Sequence, residues 1–130
     1  MALTYVVGQG LKTVASSGST VYTFEASGEI ELPVETAIGG LRYNPSAFTI
    51  GTAKIMAKSI GTAQYNVKIV SYDNTGANEI THINTTVTLS AQDTVPLTIS
   101  TASVGGDRQL ELKLTKQTGT PSTDITVYLA

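Results

Sequence analysis

A chain of 130 residues is long enough to bury one core, and without cysteine that core forms with no disulfide, thiolate metal ligand or cysteine nucleophile. Only 14% of the residues are charged, against roughly 25% in an average soluble domain, so the polar surface must come from Thr, Ser, Asn and Gln. The net charge of -2 with no run of Lys or Arg argues against a nucleic-acid partner, and no stretch approaches the ~20 apolar residues of a membrane span.

β-Branched Thr suits a half-buried pleated surface, and 12 glycines with scattered Asn and Asp supply turns, so the composition favours an all-β domain. The first 45 residues are short apolar or alternating pieces (LTYVV, LKTVA, STVYTFE, EIELPV) separated by GQG, ASSG and ASG. This texture predicts an N-terminal arm or short-strand segment over residues 1–44, leading into an antiparallel β-sandwich body over 45–130, jelly-roll or immunoglobulin-like. The leading segment is also the acidic one: residues 1–40 hold Glu25, Glu29, Glu31 and Glu35 against Lys12. The N-terminus lacks a cationic region followed by an apolar one, so no export signal is expected and the chain is made in the cytoplasm.

Beyond Asn44-Pro45, AFTI reads as a short strand, while TAKIMAKSI fits either a helical turn or two or a strand. QYNVKIVSY and ITHINTTVTL then form a hairpin across DNTGAN. In the second of these, Ile83, Val87 and Leu89 share one face with Thr85, and His82 falls on the other with Ile80, Asn84, Thr86 and Thr88. TVPLTIS carries Pro96, which cannot donate to a ladder and points to a sheet edge. After the Gly105-Gly106-Asp107 turn, RQLELKLT sets Leu110, Leu112 and Leu114 on one face; Ile125, Val127 and Leu129 repeat the device in the last segment. KQTGTPS between them predicts a closing hairpin.

Candidate chemistry is sparse. Asp73-Asn74-Thr75-Gly76-Ala77-Asn78-Glu79 has the look of a calcium loop, but an EF-hand needs Asp or Asn at its third and fifth positions and Gly at its sixth. Those positions hold Thr75, Ala77 and Asn78, so the run reads as a hairpin turn. His82, the single histidine, has no second His and no Cys to complete a zinc site, and its parity makes it a solvated residue of a polar face. No G-x-S-x-G elbow selects a serine for a triad. Glu29 and Glu31 would share a strand face, which fits a solvated surface or a contact for a basic partner better than a glycosidase pair without aromatic neighbours. Gly8-Gln9-Gly10 is a turn, and the sequon at Asn84-Thr85-Thr86 goes unused without export. No catalytic, cofactor or metal site is therefore expected.

In size, texture and arm-plus-sandwich layout, with GTAQYNVKIVSYDNTG and GDRQLELKLT in character, the chain resembles the small decoration or cement proteins of tailed-phage capsids and the β-sandwich modules of phage fibres. The resemblance implies a non-enzymatic virion protein, assembled in the host cytoplasm onto the major capsid protein or another virion protein, as a homo-oligomer with a trimer among the options. Glu25, Glu29, Glu31 and Glu35 are then the expected contact with a basic capsid surface. A fibre or receptor-binding subunit is the alternative, with Tyr72 and Tyr128 as candidates for a glycan surface, and a free carbohydrate-binding or adhesion module is a third.

Overall fold

The computed structural model describes residues 20–89 and 94–130. Its strands in chain order are β1 (Tyr22–Glu29), β2 (Thr36–Asn44), β3 (Phe48–Thr49), β4 (Ala53–Ser59), β5 (Gln64–Asp73), β6 (Ile80–Thr88), β7 (Val95–Pro96), β8 (Ser103–Val104), β9 (Arg108–Thr118) and β10 (Thr123–Leu129). No helix occurs among the described residues. The segment TAKIMAKSI is thus a strand, and burial explains the choice: Ala53 and Ile55 face the core while Lys54 and Lys58 stay exposed, the period of a pleat.

Two four-stranded sheets, β1-β10-β4-β7 and β2-β9-β5-β6, are antiparallel throughout and pack face to face, with β3 and β8 paired at one end. Along the eight long-sheet strands only β5 and β6 are neighbours both in sequence and in a sheet; every other step moves to the opposite sheet. This alternation is the jelly roll, which resolves the choice between that arrangement and an immunoglobulin-like one. It also corrects the expected closing hairpin. β9 pairs with β2 and β5, whereas β10 pairs with β1 and β4 in the other sheet. Each strand has one apolar face, and crossing over lets both faces meet across the core instead of lying side by side on one sheet.

The core is aliphatic. Leu110, Leu112 and Leu114 of β9 and Ile125, Val127 and Leu129 of β10 are buried as their alternation predicts, against Val67, Ile69 and Ile55. Each such side chain contributes about 1.5–3 kcal/mol through removal from water. Of the segment expected as an arm, residues 1–19 lie outside the described residues, while residues 22–44 supply β1 and β2, one edge strand of each sheet. Phe24 of β1 is fully buried, and the Arg42 guanidinium of β2 lies 5.1 Å above its ring, so the two edges are stitched across the sandwich.

Among the described residues three of the four edges, β1, β2 and β7, are poor templates for a further strand. β1 and β2 carry register breaks at Ala26/Glu29 and Ile38/Arg42, the second built on Gly39 and Gly40 at φ of 77° and 74°. β7 is a two-residue strand containing Pro96, and β6 is met by a single bridge, Ile83 to Ile99. Bulges, proline and shortness are the devices that keep sheet edges from pairing with other chains.

Candidate functional site

The connections β2–β3, β5–β6 and β8–β9 converge at one end of the sandwich and bring most of the polar side chains of interest together. In the β5–β6 hairpin the Asp73 carboxylate accepts from Thr75 N at 2.9 Å, Thr75 Oγ1 at 2.6 Å, Ala77 N at 2.9 Å and the Asn78 amide. These bonds, the Thr75 hydroxyl first, hold Asp73 well below the usual carboxylate range. Asn78 stands at φ 54°, the left-handed conformation Asn tolerates in such turns. The calcium-like run is therefore a side-chain-capped turn whose carboxylate oxygens are engaged by protein donors, and among the described residues no group of three His, Cys, Asp or Glu could hold a metal ion.

His82 is not solvated. The β5–β6 register runs Ile69 to Ile83 and then Val70 to Thr81, so His82 is the extra residue of a bulge. The bulge breaks parity, and His82 and Ile83 are both fully buried. The Thr101 carbonyl can only accept, which assigns the proton to Nδ1 across 2.8 Å. Nε2 then accepts from Ser71 Oγ at 2.7 Å, and Ser71 Oγ accepts from Arg108 Nε at 2.8 Å. Arg108 also donates to the carbonyls of Ser71 and Asn78. Burial, with the Arg108 charge as a smaller cause, pushes His82 below its ordinary value and keeps it neutral. Ser71 and His82 have the hydrogen bond of a nucleophile and its base, but neither has any exposed surface, so the pair is a structural latch joining β5, β6 and the segment at 99–101.

The four glutamates are exposed and spread along the β1 edge and the β1–β2 connection. Glu25 lies within β1, Glu29 ends it, and Glu31 falls beyond it, so Glu29 and Glu31 do not share a strand face. Glu31 pairs with Lys116 at 3.1 Å. Tyr128 and Tyr72 are separated as well. Tyr128 lies in β10 opposite Thr23 and Lys54, and Tyr72 in β5, on the other sheet.

The tyrosine that joins Tyr72 is Tyr43. Both stand opposite Gln109 of β9, one from each side, giving the row Tyr43–Gln109–Tyr72 across β2, β9 and β5. Their neighbours Asn44, Ser71 and Leu110 are buried, so by pleat alternation the row faces outward. Tyr43 is 56% exposed and donates to Asp107 Oδ1 at 2.7 Å, while Asn74 Nδ2 donates to Asp107 Oδ2 at 2.9 Å. Tyr72 donates to Glu111 Oε1 at 2.9 Å, and Lys113 Nζ stands 5.9 Å from its ring centre. No sequence signal marks Tyr43: alternation in Leu41-Arg42-Tyr43-Asn44 would turn Leu41 and Tyr43 inward, whereas both are exposed and Asn44 is buried.

No protein-family model matches the chain, and no curated protein matches it. Two solved structures of infectious bursal disease virus are similar in outline. The Gx strain aligns at TM-score 0.41 and 10% identity over 99% of this chain and 36% of that one. The Gt strain aligns at TM-score 0.41 and 15% identity over 95% and 37%. The chain thus spans about a third of the length of those chains, and a likeness of that size carries nothing about role or partner.

Proposed function

We propose that the chain is a non-enzymatic structural subunit of a virion, bound to the capsid shell as a decoration or cement protein and working as a homo-oligomer, with a trimer the form that suits a three-fold joint. The observation that carries this reading is the jelly roll with a filled aliphatic interior, an architecture used by viral capsid, lectin and cupin domains. Its buried Ser71–His82 pair is sealed from solvent, which leaves the surface to act. The mechanism is burial of interface across joints of the shell, stabilising the assembled state by mass action. With the β1 and β2 edges bulged and β7 short, contacts at those edges run through faces and loop ends rather than strand addition.

Glu25, Glu29, Glu31 and Glu35 form the contact with a basic capsid surface, in a virion assembled in the host cytoplasm. Replacing all four by Gln lowers occupancy on purified particles, read by gel densitometry and by micrographs of the shell. Unchanged occupancy removes the glutamates from the interface. A fibre or receptor-binding subunit is the second reading, favoured by the Tyr43–Gln109–Tyr72 row. Labelling confined to the tail in the same micrographs selects it.

A further inference from the structure

We propose that the outer face of the β2-β9-β5-β6 sheet binds an uncharged oligosaccharide along the Tyr43–Gln109–Tyr72 row. Sugar recognition on a protein surface needs an aromatic ring for the apolar face of a pyranose and fixed polar groups for its hydroxyls. Tyr43 supplies the ring. Its exposure is coupled to a tethered hydroxyl: Asp107 Oδ1 accepts from it, and Asn74 holds the second oxygen of that carboxylate. A ring anchored in this way loses little rotamer freedom when a ligand covers it.

Gln109 supplies the hydroxyl-binding group. Among the described residues its side-chain amide has no hydrogen-bond partner, although it sits between two tyrosines whose own hydroxyls are engaged. An amide offers both donor and acceptor, which matches vicinal sugar hydroxyls. Tyr72 forms the far border rather than a second stacking face, because Lys113 occupies the region over its ring. Tyr43 and Tyr72 are two strand spacings apart, about 10 Å, so a ligand lying across the strands covers more than one sugar unit. Around the row the carboxylates of Asp107, Glu111 and Glu79 outnumber the Lys113 ammonium that pairs with the last two, and this surplus of negative charge disfavours an acidic glycan.

The test uses the full chain on a printed array of cello-, malto-, manno- and chito-oligosaccharides, followed by amide chemical-shift titration with the strongest binder. The expected result is binding to at least one series, shifts centred on Tyr43, Gln109 and Tyr72, and about a tenfold or greater loss of affinity in Tyr43→Ala and in Gln109→Ala. Tyr128→Ala, on the other sheet, binds as the parent chain does. Two results overturn the proposal: no binding to any series by the parent chain, or undiminished binding by both Tyr43→Ala and Gln109→Ala with thermal midpoints near the parent value.

Discussion

At the end where the β1–β2, β4–β5 and β9–β10 connections meet, backbone fits against backbone around the buried Tyr65 side chain. Tyr65 Oη donates to Ile30 O at 2.8 Å and accepts from Ser122 N at 2.9 Å, Ile30 N donates to Ser122 O, and Thr62 N donates to Thr120 O. A Cβ on Gly61 would overlap the backbone of Thr120 and Pro121, and one on Gly119, at φ 91°, would meet Ala63 Cα at 2.8 Å. At the opposite end side chains make the closure, through Asp73, Arg108, Ser71, His82, Asn44 and Asp107. Asn44, for example, donates to Gly105 O at 2.7 Å and accepts from Tyr22 at 2.9 Å. A close steric fit penalises any added atom, whereas a polar network can vary at its rim, and the exposed Tyr43 row grows from that rim.

The contrast can be broken by substitution. His82→Ala should have the largest effect, about 4 kcal/mol, since it leaves a cavity and takes the acceptor from the buried Ser71 hydroxyl. Urea denaturation reads it, and a loss below about 1 kcal/mol would mean the polar end is not held by its buried latch. The same residue sets a pH window. Folded His82 has a lowered pKa and the unfolded chain one near 6.5, so above 6.5 its contribution is fully present. As pH falls below that value the unfolded state takes up a proton the folded state refuses, and stability drops by up to about 1.4 kcal/mol per pH unit until the lowered folded value is passed. Below pH 6.5 His82→Ala should flatten this slope.

Gly119→Ala should cost about 3 kcal/mol, from left-handed backbone and the Thr62–Ala63 clash together. Tyr65→Phe should cost about 2 kcal/mol by leaving Ser122 N and Ile30 O without their shared partner. Tyr43→Ala should change stability by no more than about 0.5 kcal/mol, because its ring is at the surface. If Tyr43→Ala instead unfolded the chain, the rim would be as rigid as the opposite end.

Period-two alternation was enough to determine that the chain is all-β, which faces of β9 and β10 are buried, and that β5 and β6 form a hairpin over Asp73–Asn78. Those features depend on neighbours along the chain: apolar residues two apart leave water together, and Asp, Asn and Gly accept the turn. Tertiary structure alone decided three others. The β9–β10 connection, which reads as a hairpin, crosses between sheets because partner choice follows burial of both apolar faces rather than loop length. His82, which reads as solvated, is buried because one bulge residue reverses the parity of everything on that side of it. The Tyr43–Gln109–Tyr72 row unites residues from three strands far apart in sequence, and only the register of β9 between β2 and β5 brings them into line.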